Sequence, residues 1–141
     1  MALMMILILS GAAALLVRYI SISAHHRVDS YLREQAEIFM QSVIEATILK
    51  IEGQDRESGC VRSLRFVSPD QCFNAYIKVT RYYLYNNENV GQCTDKSRSI
   101  ATPESHGYVI IEAVVEGNMS HPKLAGFAEP LRITERTLQR P

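Results

Sequence analysis

In this chain of 141 residues, fifteen basic side chains are cancelled by fifteen acidic ones, so no overall field holds it on nucleic acid or an anionic lipid surface. Its aliphatic content is too high for a disordered chain, and it shows neither an internal repeat nor a low-complexity run. The length suits one compact domain plus one long element outside that domain's core.

That element comes first. Residues 2–17 (ALMMILILSGAAALLV) carry no charge. As a helix they cover about 24 Å, and continuing through Arg18, Tyr19 and Ile20 to Ala24 brings the length to about 34 Å, enough for a hydrocarbon layer of ~30 Å. Arg18 can snorkel and Tyr19 suits the interface. A helix apolar on every side needs cover on every side, which the rest of so short a chain cannot easily supply. Ala2, Leu3, Ile6, Leu7, Ile8, Leu9, Gly11, Leu15, Leu16 and Val17 are therefore the expected transmembrane and assembly residues. Ser10 to Ala14 form a run of small residues that would let helix backbones approach closely. A cleaved secretion signal ending near Ala24 is the other reading. Charge leaves the orientation open, because no Lys or Arg precedes the apolar run while Arg18, His25, His26 and Arg27 follow it. A basic leader upstream of Met1 in a longer precursor would remove that conflict.

No proline occurs before Pro69, so one helix can continue to Gly53. From Val28 it turns amphipathic: Val28, Tyr31, Leu32, Ala36, Phe39, Val43 and Ala46 recur at helical steps, and Met40, Ile44, Ile48 and Ile51 widen the stripe. Beyond Gly53 the period becomes two. Phe73, Ala75, Ile77 and Val79 share one strand face, with Tyr76, Lys78 and Thr80 on the other; Val109, Ile111, Ala113 and Val115 repeat the pattern, with Glu112 outward. Residues 131–137 predict a weaker strand, and 61–67 a short one. Asn86 to Asn89, Gly117-Asn118 and Pro122-Lys123 predict the turns. The expected fold is α+β, a long N-terminal helix packed on a small antiparallel β-sheet. It divides into a transmembrane and assembly half (1–24), an amphipathic half (25–52) and a globular sheet region (53–141).

Four stretches, ALMMILILSGAAALLV, YLREQAEIFMQSVIEATILKIEGQDR, ATPESHGYVIIEAVV and EPLRITERTLQRP, resemble minor type IV pilins and the pseudopilins of type II secretion, in a divergent bacterial group. The resemblance implies a structural subunit of a pilus or secretion system. It would be anchored once in the bacterial inner membrane with its globular region in the periplasm, and its partners would be other pilin or pseudopilin subunits. Such proteins usually have a glutamate as fifth mature residue; Met5 takes that place if Met1 is first, which suits a tip or priming subunit. The alternative is a single-pass periplasmic accessory or sensor domain that does not polymerise.

Three cysteines lie where disulfides persist, so one intrachain bridge is expected. Cys60 with Cys93 and Cys60 with Cys72 are both open, the first slightly favoured. Without a CxxC spacing, neither redox catalysis nor a zinc knuckle is expected. Adjacent His25 and His26 point about 100° apart on a helix, and His106 and His121 have no partner at ligand spacing. The oxygen-rich Asn86 to Asn89 with Asp95 lacks EF-hand spacing. Tyr76, Tyr82, Tyr83 and Tyr85 crowd one strand, as sheet surface or as a contact surface. No nucleophile motif and no glycine-rich phosphate loop is present. The sequence thus predicts a protein that is not an enzyme, has no catalytic residues, metal or cofactor, and shows no evident nucleic-acid contact or small-molecule substrate.

Overall fold

The computed structural model describes residues 2–55, 57–85, 89–102, 104, 107–122, 124 and 130–141, with the helix side chains at 2, 3, 7, 8 and 21–27 excepted. Helix α1 (Ala2–Glu52) is followed by β1 (Ser63–Val67), β2 (Phe73–Tyr85), a 3-10 turn (Gly91–Cys93), β3 (Ser97–Ile100), β4 (Tyr108–Gly117) and β5 (Arg132–Gln139). Good helix formers and the lack of proline keep α1 regular. At its end the Gly53 N–H still donates to Leu49 O, 3.0 Å away.

Two compact units divide the chain, Met1–Gln35 and Ala36–Pro141. In the first, the described apolar side chains of Met4, Met5, Ile6, Leu9, Leu15, Leu16, Val17, Tyr19 and Ile20 are exposed, by 62% to 74%. Among the described residues, no helix is long and apolar enough to cross a membrane. The run expected to span includes 7, 8 and 21–27, whose side chains lie outside that description.

In the second unit, the last part of α1 packs on a five-stranded sheet of order β1-β2-β4-β5, with β3 also on β2. The β1–β2, β2–β4 and β4–β5 pairs are antiparallel; β3 runs parallel to β2. The expected antiparallel α+β arrangement holds except at this strand of four residues, SRSI, which is too short and too polar to show a period. β1 pairs with the first half of β2 and β3 with the second.

The centre of the buried helix face is Ala36, Met40, Val43, Ile44 and Thr47. Val28 and Tyr31, expected inward, are exposed. At 100° per residue Tyr31 falls on the side of the helix opposite Met40, and Val28 projects with Ala46, which like Phe39 is only half-buried at the edge of that face. Thr47 is wholly buried yet satisfied, its hydroxyl donating to Val43 O at 2.8 Å. The opposing sheet face is Phe73, Ala75, Ile77 and Val79 of β2 with Val109, Ile111, Ala113 and Val115 of β4, each at most 3% exposed. Phe39 stacks on Phe73 with ring centroids 6.4 Å apart.

The alternation in β2 does not run straight through. Val79 pairs with Ile111 and Arg81 with Ile110, so Thr80 is an extra residue, a β-bulge. Tyr82 and Leu84 consequently turn inward, while Arg81, Tyr83 and Tyr85 face out. The Thr80 hydroxyl is buried without a hydrogen-bond partner.

Candidate functional site

Of the residues expected to anchor and assemble, Ile6, Leu9, Gly11, Leu15, Leu16 and Val17 are exposed along α1. The side chains of Ala2, Leu3, Leu7 and Ile8 lie outside the described residues, as do those of His25 and His26 and all of Asn86, Asn87, Glu88 and His106.

Cys60 and Cys93 form the disulfide, across a sequence separation of 33. It fastens the segment after α1 to the turn before β3. Around it the Arg62 guanidinium meets the Asp95 carboxylate at 2.8 Å, and the Tyr82 hydroxyl donates to Val61 O at 2.7 Å. Asn89 donates to the Glu57 carboxylate and accepts from Gly91 N–H. Asp95 and Asn89, the described members of the oxygen-rich set, are thus engaged with protein groups. Among the described residues, no group of three His, Cys, Asp or Glu side chains is placed to hold a metal.

Cys72 lies outside the disulfide and is fully buried. Its Sγ lies 3.3 Å from Nδ1 of His121, a contact that no local spacing could reveal because 49 positions separate the two residues. Tertiary structure brings them together. The Gln71 turn, in the left-handed region at φ 59°, is tied to the β4–β5 connection by Asn118, whose side-chain amide donates to Gln71 O and whose N–H donates to Cys72 O. With Cys72 buried, this pair reads as a clasp between two loops.

The sheet surface facing away from α1 is chemically different. By register it presents Arg65 and Val67 of β1, then Asn74, Tyr76, Lys78, Arg81, Tyr83 and Tyr85 of β2. β3 adds Arg98, β4 adds Tyr108, Ile110, Glu112, Val114 and Glu116, and β5 adds Arg132, Thr134, Arg136 and Leu138. Cross-strand rows follow from the pairing. Lys78, Glu112 and Arg136 lie side by side, and Tyr83 stands opposite Tyr108. The Arg65 guanidinium sits 5.5 Å over the Tyr76 ring and that of Arg140 sits 5.8 Å over Tyr108. At the β1 end, Arg65, Val67, Tyr76, Val114, Glu116 and Arg132 line an open groove of about 510 Å³. Arg132 there pairs with Glu116 at 3.4 Å, both side chains being more than half exposed.

No family model, curated protein or solved structure matches this chain.

Proposed function

We propose that the protein is a minor pilin-like or pseudopilin-like structural subunit that works by membrane anchoring and filament assembly rather than by catalysis. The observation that carries this reading is the contrast along α1. Residues 36–52 bury one stripe against a sheet, whereas among the described residues from Met4 to Ile20 nine large apolar or aromatic side chains lie open. Full burial of a side chain of this size is worth about 1.5–3 kcal/mol, so the segment gains most where lipid or other apolar helices cover it. A bilayer covers it in the anchored subunit, and packing against the same segment of neighbouring subunits would cover it in a filament. Gly11 and the alanines after it permit the close backbone approach such packing needs. In this reading the inner membrane and other pilin or pseudopilin subunits are the partners, and the sheet unit lies in the periplasm, where the Cys60–Cys93 bridge persists.

The test is the mature N-terminus of the protein taken from its native membrane, read by mass spectrometry together with the coding sequence upstream of Met1. A basic leader removed just before the apolar run, leaving an N-methylated amine, supports a filament subunit. An unprocessed N-terminus points to the solitary anchored domain, and a start near Ala24 makes the apolar run a secretion signal and ends the proposal.

A further inference from the structure

The absence of net charge conceals a strong separation by face. Strand positions looking away from α1 hold Arg65, Lys78, Arg81, Arg98, Arg132 and Arg136 against Glu112 and Glu116, a surplus of four positive charges from six cations and two carboxylates. All six cations are exposed. The positions of the same strands that look toward α1 hold one charged residue, Glu135 on the edge strand β5. Neither carboxylate of the outer face stands alone: Glu116 is paired with Arg132, and Glu112 sits between Lys78 and Arg136.

Four tyrosines are interleaved with these cations. Tyr76 and Tyr85 are about two-fifths exposed, and Tyr83 and Tyr108 half-buried, opposite one another. Guanidinium groups lie over Tyr76 and Tyr108, so those ring faces already hold a planar cation, and a base stacking there takes the place of Arg65 or Arg140. An anionic lipid surface or an acidic polysaccharide would use the cations, but neither presents an aromatic face to stack on rings set within a sheet. A double helix hides its base faces and admits a helix or a narrow ribbon into its groove, which a sheet of this width cannot enter. A polyanion with unpaired aromatic bases uses both sets of groups.

We propose that the outer face of the sheet is a binding platform for single-stranded nucleic acid, with Lys78, Arg81, Arg98 and Arg136 on the phosphates and Tyr76, Tyr83 and Tyr108 under the bases. The groove beside Tyr76 and Arg65 receives one base at the β1 end of the track. This inference is independent of filament assembly, because every residue in it belongs to the sheet unit.

The experiment measures fluorescence anisotropy of a labelled oligothymidylate of about 15 nucleotides, a length suited to a one-domain platform, with the full chain in uncharged detergent. The expected result is binding that weakens with salt by roughly 0.7 in log affinity per log salt for each phosphate neutralised. Arg136→Gln lowers that slope. Tyr76→Leu, which keeps apolar bulk but removes the ring, weakens binding about 5- to 150-fold, while Tyr76→Phe restores it. Circular dichroism of each variant confirms that the sheet is intact. No binding at low salt overturns the proposal. So does tighter binding of a duplex of the same length, or affinity unchanged in Tyr76→Leu and abolished equally by heparin, which would leave only a surface for any polyanion.

Discussion

The two faces of one sheet, a backbone's thickness apart, follow different rules. Toward α1, Ile77, Val79, Ile111, Ala113 and Val115 are closed to solvent and packed by volume. Away from α1, the alternate residues of the same strands, Tyr76, Lys78, Ile110, Glu112 and Val114, are ordered by charge and by aromatic contact. Strand geometry allows this because successive side chains point to opposite sides, so one segment can carry a core and an interaction surface without either constraining the other's composition. The difference teaches that averaged quantities mislead for such a chain. Net charge and mean exposure both sum over surfaces that never meet.

Adjacent isoleucines in β4 give the sharpest way to break this comparison. Ile111→Ala, on the closed face, is expected to cost about 2–5 kcal/mol, whereas Ile110→Ala, on the open face, should cost less than about 1.5 kcal/mol because half-exposed side chains lose less burial. Urea unfolding midpoints at constant slope measure both, and equal losses would show that the outer face is packed as well. Next in size is the disulfide. Cys60→Ser with Cys93→Ser should lower stability by about 2–4 kcal/mol, since the closed loop restricts the unfolded chain; thermal unfolding with and without reductant reads the same quantity twice. The smallest effect has the opposite sign. Thr80→Val removes a buried hydroxyl that has no partner and should stabilise the protein by about 1 kcal/mol, provided the bulge persists.

Much of this arrangement is legible in the sequence, for reasons that can be named. In β4 the alternation of Val109, Ile111, Ala113 and Val115 is uninterrupted, so period and burial agree. In β2 the same reasoning holds from Phe73 to Val79 and then fails, because a bulge inserts one residue and no side-chain pattern announces it. β3 was invisible, since four residues of mixed polarity owe their strand conformation to pairing with β2. The spacing of the three cysteines allows Cys60 to pair with Cys93 or with Cys72, and only three-dimensional proximity separates the two, as it alone reveals the Cys72–His121 contact. The positive outer face was hidden for a different reason: its cations come from β1, β2, β3 and β5, so no window of sequence contains the patch.

The Cys60–Cys93 bridge also decides how the chain would carry tension. It opens eight residues after α1 ends and closes before β3 begins. A pull on α1 against the C-terminus therefore crosses from Cys60 to Cys93 through sulfur and bypasses residues 61–92. β1 and β2 lie wholly within that bypassed loop, and β2 is the strand on which β1, β3 and β4 all pair. The covalent shortcut thus takes the central strand out of the line of force: a molecule tugged by its helix would be loaded first at β3, β4 and β5, while the strand that holds the sheet together stays slack.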